Sequence, residues 1–196
     1  MSRTAEITRT TGETEIALSL ELDGTGAGSR ETGVGFLDHL LDAIARHGGL
    51  DLDVGVNGDL ETGPHHTVED TGLVLGQALD QALGDRAGIM RFGEAVVPMD
   101  EARASAAIDI SGRPLALFEG PWPERAVGDL EPDLPQEFLR ALASTAKLTL
   151  HVCVEAGGND HHVIEAAFKA VALALRRAVA IDPTTGGAVP STKGLL

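Results

Sequence analysis

The chain has 196 residues, 43% hydrophobic and only 3% aromatic, which is enough for one ordinary domain or two small fused ones with a core of Leu, Val, Ile and Ala. A formal charge of −15 and a pI near 4.7 exclude general nucleic-acid or anionic-membrane binding, since both want a basic face. An anionic small substrate stays possible, because a few Lys and Arg can converge locally while the scattered carboxylates keep the protein soluble.

The N-terminal "MSRTAEITRTTGETEI" lacks the charged-then-apolar order of a signal peptide, and no apolar run is long enough to span a bilayer. A cytoplasmic location is therefore expected, with no membrane partner. "TEIALSLELDG" alternates as a strand before a Gly turn. "GFLDHLLDAIARHGG" places Leu37, Leu40, Leu41, Ile44 and Ala45 on one helical face, with Gly48 as its stop. "LDLDVGV" alternates strictly, and "HHTVEDTGLVLGQALDQAL" has helical apolar spacing. Four prolines (Pro121, Pro123, Pro132, Pro135) mark Glu119–Pro135 as a loop. "LTLHVCV" reads as a strand whose lone Cys153 is expected in the core, and no intramolecular disulfide is possible. "HHVIEAAFKAVALALRRAV" is apolar on most faces, so it belongs at the centre of the packing. The tail "DPTTGGAVPSTKGLL" is irregular.

The chain also repeats itself. "PHHTVED" and "DHHVIEA" share His-His-x-x-Glu and start 96 positions apart. "LDLDVGV" lies opposite "LTLHVCV", and "DHLLDAIA" opposite "QEFLRALA", both offset by 98. "LELDG" resembles "AIDISG" more weakly. The slip between the two offsets falls in the loops before each His pair, where indels are tolerated. The expectation is an α+β protein made of two duplicated βαβ-type units, 1–88 and 89–196, in one compact body. Each unit runs strand, helix, strand, His-His helix.

On a helix, residues i and i+4 share a face, so His65 points with Glu69 and His161 with Glu165, while His66 and His162 lie at least a quarter-turn around. This suits a pseudo-twofold site in which each metal takes a His and a Glu from one repeat and the second His from the other. Imidazole and carboxylate donors fit Mn, Fe, Zn, Co or Ni, and the lack of thiolates argues against a zinc finger. A single copy would read as a polar helix start; two copies in register within a wider repeat read as metal ligands. His39 and His47, eight residues apart, share a helix face only approximately. His151, in the apolar strand, reads as a core or sheet residue.

These segments together resemble the imidazoleglycerol-phosphate dehydratase family. "GFLDHLLDAIARHG", "HHTVEDTG", "RFGEAVVPMDEA", "IDISGRP", "NDHHVIEAAFKA" and "PSTKG" match its pattern in order and spacing over nearly the whole chain. The resemblance implies dehydration of D-erythro-imidazole glycerol phosphate to imidazole acetol phosphate in histidine biosynthesis, with two Mn2+ per active site. It implies helices packed between two four-stranded mixed sheets, trimers assembled into a 24-mer, and active sites between subunits. His39, His65, His66, Glu69, His161, His162 and Glu165 fall on its metal ligands. A further family histidine, at the second-half counterpart of His39, is here Glu137, which is expected to ligate in its place, as a hard oxygen donor that Mn accepts. Arg91, Arg113, Lys169, Ser191 and Lys193 fall where the family holds substrate phosphate, and Thr192 falls among its substrate-binding residues. Glu13 and His47 fall where it contacts substrate. Asp100 and Glu101 read either as supporting the site or as facing solvent.

The chemistry asks for these parts. The hydrogen to be removed is not acidic until the neighbouring hydroxyl leaves, and an imidazole held as imidazolate between two cations can expel that hydroxyl to give a diazafulvene-like intermediate. A carboxylate can then take the proton. Glu13 is the first candidate, with Glu69 or Glu165 in a dual role. Two rivals fit the same residues: a dinuclear metallohydrolase, and a non-catalytic metal-assembled shell.

Overall fold

The computed structural model describes residues 2–194. Strands β1 (Thr4–Thr10) and β2 (Thr14–Glu21) form a hairpin, and the two-residue β3 (Arg30–Glu31) precedes α1 (Gly35–Gly48). β4 (Asp51–Gly58), a 3-10 turn and α2 (His65–Leu83) complete the first half. The second half repeats the order: β5 (Phe92–Met99), β6 (Ala102–Asp109), β7 (Leu115–Glu119), α3 (Leu134–Thr145), β8 (Thr149–Ala156) and α4 (Asp160–Val179).

Each half makes its own four-stranded mixed sheet, in the orders β1-β2-β4-β3 and β5-β6-β8-β7. In both, the first three strands pair antiparallel and the short third-in-sequence strand lies parallel to its neighbour. β1, β3, β5 and β7 go beyond the strands expected from the sequence. β3 has only two residues, and β1 and β7 alternate buried or half-buried with exposed positions, so their apolar signal is thin. The proline-rich loop also ends earlier than expected: Leu134 and Pro135 are the first two residues of α3. Proline is tolerated there because the first-turn N–H has no intrahelical acceptor to lose.

Ile16, Leu18, Leu20, Leu52 and Val54 line the inner face of the first sheet, against α2. Ala104, Ala106, Ile108, Leu150, Val152 and Val154 line that of the second, against α4. The alanines let α4 settle close to the sheet, and α4 is indeed the most central helix. The two halves are joined crosswise, with α1 packing on α4 and α2 on α3. α2 and α3 come very close: a Cβ at Gly72 would lie 2.6 Å from the Phe138 carbonyl oxygen, and one at Gly76 2.4 Å from that of Leu142. Phe138 and Phe168 stack at the centre with ring centroids 5.6 Å apart, tying α3 to α4; such a pair adds about 1 kcal/mol beyond the area it buries.

Strand alternation overturns the expectation for Cys153 and narrows that for His151 from core or sheet residue to sheet residue. Leu150, Val152 and Val154 point inward, so His151 and Cys153 point to the outer face; His151 is exposed and Cys153 half-buried, not core. Among the described residues no helix is long and apolar enough to cross a membrane.

Candidate functional site

α4 opens on Asn159, whose side chain accepts the His161 N–H at 3.0 Å and fixes the first turn. One turn on, helical geometry brings Glu165 to His161, with Oε2 3.0 Å from Nε2. The crossed packing adds His39 from α1, its Nε2 3.2 Å from the same Oε2. The donor atoms of His39, His161 and Glu165 all lie within 4.8 Å of one another. Glu165 is 7% exposed, and its other oxygen accepts from Lys169 at 2.7 Å. Burial works against ionisation, yet Lys169 and His39 outweigh it and bring the carboxyl down to about 2. The group is therefore an anion held between cationic or protonatable neighbours, the electrostatic setting a metal ion would take over.

α1 itself is anchored from the far half. Asp129, in the proline-rich loop, accepts the Gly35 and Phe36 N–H groups at 2.6 and 3.0 Å, capping the helix that carries His39. Arg125 in the same loop pairs with Asp160 at 3.2 Å. The loop thus holds the N-termini of α1 and α4 beside each other. No pattern in the sequence singles out Asp129, because its partners lie more than ninety positions away.

The cluster opens on a cleft of about 460 Å3 lined by His39, His47, Glu165, Lys169, Arg30 and Arg46. Burial and then the nearby Lys169 charge hold the His47 pKa below its ordinary value, so it faces the cleft as a neutral imidazole at neutral pH.

The first half is looser. His65 Nε2 stands 3.6 Å from Glu69 Oε2, and both side chains are about half exposed. Glu137 lies on α3, the helix packed against α2, but its carboxylate pairs with Arg140 one turn on. Among the described residues, only His39, His161 and Glu165 form a metal-like group, so Glu137 is not drawn in with His65 and Glu69. The exchange of second histidines between halves is likewise not seen within one chain: the third donor beside His161 and Glu165 is His39, not His66. His66 instead sits between Asp59, at 3.0 Å from Nδ1, and Glu13, at 3.6 Å from Nε2. His162 sits between Glu101, at 2.9 Å from Nδ1, and Asp100, at 3.8 Å from Nε2.

The residues expected at the phosphate divide into two places. Arg91 pairs with Asp109 at 2.7 Å and donates to the Pro190 carbonyl at 2.9 Å, and Arg113 lies 3.8 Å from the same aspartate. These, with the adjoining Ser191, Thr192 and Lys193, gather at the Phe92 end of β5. Lys169 is 3.8 Å from the Met99 sulfur, at the other end. An eight-residue strand separates the two places by about 25 Å.

Comparison with known proteins gives a consistent result. The family model described as imidazoleglycerol-phosphate dehydratase matches residues 32–175. The imidazoleglycerol-phosphate dehydratase of Granulibacter bethesdensis is 57% identical over 196 residues, covering 100% of both chains. That of Methanoculleus marisnigri is 55% identical over 194 residues, covering 99% of this chain and 100% of its own. Among solved structures, the Staphylococcus aureus enzyme superimposes with a TM-score of 0.83 at 37% identity, covering 91% of this chain and 99% of its own. The Pyrococcus furiosus one gives 0.83 at 36%, covering 97% and 100%.

Proposed function

Because the chain belongs to the imidazoleglycerol-phosphate dehydratase family, we propose that it removes water from imidazole glycerol phosphate using two Mn2+ per active site, held by its paired His-His-x-x-Glu helices. Membership makes it an enzyme, a hydro-lyase of histidine biosynthesis with a phosphorylated imidazole substrate. The observation that carries the metal reading is the meeting of His39, His161 and Glu165 from two halves of the chain. Two imidazole nitrogens and one ionised carboxylate oxygen, with no thiolate, suit Mn2+. His65, Glu69 and Glu137 would form the corresponding set, with His66 and His162 adding ligands. Bound there, the ions would supply Lewis acidity and a template for a ring with two nitrogens.

The chain's own groups account for the rest. Lys169 and the neutral His47 line the cleft beside the triad and can orient an anionic substrate by hydrogen bonding. Glu13 reaches the site from the β1–β2 turn and stands beside His66, where a carboxylate can take the proton that becomes acidic once the hydroxyl has left. Glu69 and Glu165 are engaged with His65 and His161 and serve it less readily. The Arg91, Arg113 and Ser191–Lys193 group is too far from the same chain's triad to hold one small substrate with it. Its phosphate role therefore calls for a second copy of the chain, which supports the trimer-based 24-mer with sites between subunits. A cytoplasmic setting goes with this biosynthetic role.

The test is turnover of imidazole glycerol phosphate by the purified protein, before and after chelation and with Mn2+ restored. Activity should vanish on chelation, return with Mn2+, and release water without placing solvent oxygen in the product. Failure of the remetallated protein to act on this substrate would sink the reading. Glu13→Gln should keep full metal content and lose turnover by about 100-fold or more; normal turnover would remove Glu13 as the proton carrier.

A further inference from the structure

The second histidine of each pair is held in the same way by a carboxylate that neither motif contains. His66 Nδ1 lies 3.1 and 3.0 Å from the two oxygens of Asp59, and His162 Nδ1 lies 2.9 Å from Glu101 Oε2. A carboxylate only accepts, so a proton sits on Nδ1, and in the neutral imidazole that a metal ion requires the lone pair lies on Nε2. We propose that Asp59 and Glu101 are positioning residues, each fixing the tautomer and ring orientation of its histidine so that Nε2 alone is offered to a metal ion. This rests on the reading of His66 and His162 as ligands given above.

The two carboxylates are themselves pinned. Asp59 Oδ2 accepts from the Thr62 hydroxyl at 3.0 Å. Glu101 Oε1 accepts the Gly158 and Asn159 N–H groups at 3.3 and 2.8 Å, so one side chain ties the β5–β6 turn to the start of α4 and to His162. They also come from different parts of the duplicated unit. Asp59 follows β4; the position 98 further on, after β8, is Gly157, which has no side chain to offer. Glu101 instead stands immediately before β6, where the first half has Glu13 immediately before β2. With Asp59 occupying Nδ1 of His66, Glu13 is left facing the Nε2 side. In the second half the turn supplies both groups, Glu101 to Nδ1 and Asp100 towards Nε2. The duplicated halves thus reach one arrangement from unlike residues, as expected where the arrangement matters more than its source. Partners that hold a ligand's other nitrogen typically change metal affinity 10- to 100-fold.

The experiment uses the full assembled protein, stripped and titrated with Mn2+, with free Mn2+ read from its solution EPR signal. Asp59→Ala and Glu101→Ala should each weaken Mn2+ binding by about 10- to 100-fold. Asp59→Asn and Glu101→Gln, which keep an acceptor oxygen, should recover most of that loss, whereas a merely structural role would shift the unfolding midpoint and leave Mn2+ affinity alone. Alanine variants binding as tightly as the parent, while His66→Ala and His162→Ala lose metal, would overturn the proposal and spare the ligand set. Amide variants as weak as the alanines would overturn it as well. Full Mn2+ binding by His66→Ala and His162→Ala would bring down the ligand set itself.

Discussion

The two His-His-x-x-Glu helices begin from the same five-residue pattern and finish in different states. In the second half, the first His and the Glu are 3.0 Å apart, Glu165 is buried, and His39 closes the group from the opposite half. In the first, His65 and Glu69 stand 3.6 Å apart and half exposed, and the residue placed like His39 is Glu137, turned to Arg140. The backbone is duplicated, and the crossed packing places α1 against α4 and α3 against α2. What differs is one residue of the proposed donor set and the cation beside it. Duplication therefore guarantees equivalent places, while each place still depends on the side chains that its own neighbours leave free.

The comparison can be broken most severely at its closed end. Glu165→Ala removes the anion that both His39 and His161 face, and should cut turnover of the Mn2+-loaded enzyme by more than about 100-fold, beyond the effect of losing an orienting partner. A smaller loss would show that the closed cluster is not the more important of the two. At the open end, Glu137→Ala should lower bound Mn2+ from two per active site towards one, measured by metal analysis after dialysis. Arg140→Ala, which frees Glu137, should leave it at two. Unchanged metal and activity in Glu137→Ala would remove Glu137 from the ligands.

The helix crossings differ too, and stability reads that difference. Gly76→Ala would push a methyl to 2.4 Å from the Leu142 carbonyl and should cost about 1–3 kcal/mol. The position 96 further on, in α4, is already Ala172. Ala172→Gly should cost only about 1 kcal/mol, through helix propensity. Urea midpoints of the metal-free proteins would reveal the contrast, and equal losses would refute it.

The smallest effect concerns acid. Glu101 and Glu165 are both brought to about 2 from the ordinary 4.5, Glu101 first by its hydrogen bond to His162. A carboxyl depressed in the folded state adds stability that is fully present above its unfolded pKa and lost as pH falls through the folded one. The metal-free protein should thus lose stability progressively from about pH 4.5 towards 2. Glu101→Gln should flatten that decline; an unaltered pH profile would show that the His162 contact adds nothing in solution.

Much of the proposed donor set is legible in the sequence. His65 with Glu69, and His161 with Glu165, follow from the helical repeat alone, since 3.6 residues per turn puts i and i+4 on one face whatever surrounds the helix. The repeat itself pointed to Glu137 as the counterpart of His39. The outward turn of His151 and Cys153 is legible too, from the alternation of β8, although a run that is apolar almost throughout masks it. Asp59, Asp129 and the anchoring role of Glu101 were not legible. Each lies in a turn or loop, has no period to mark it, and finds its partner through the path of the chain.

The sequence by itself determined the periodicities, the duplication, the pairing of His with Glu on each helix and the family, because all of these are local or comparative properties of the residue order. The tertiary structure decided which helix meets which, and with it that His39 completes the His161–Glu165 group while His66 and His162 rest on Asp59 and Glu101. Apolar helix faces are chemically alike, so their partners are chosen by fit: glycines at Gly72 and Gly76 admit α3, whereas the larger Phe168 and Ala172 stand at the equivalent places in α4. That choice is made only when all the faces are packed at once.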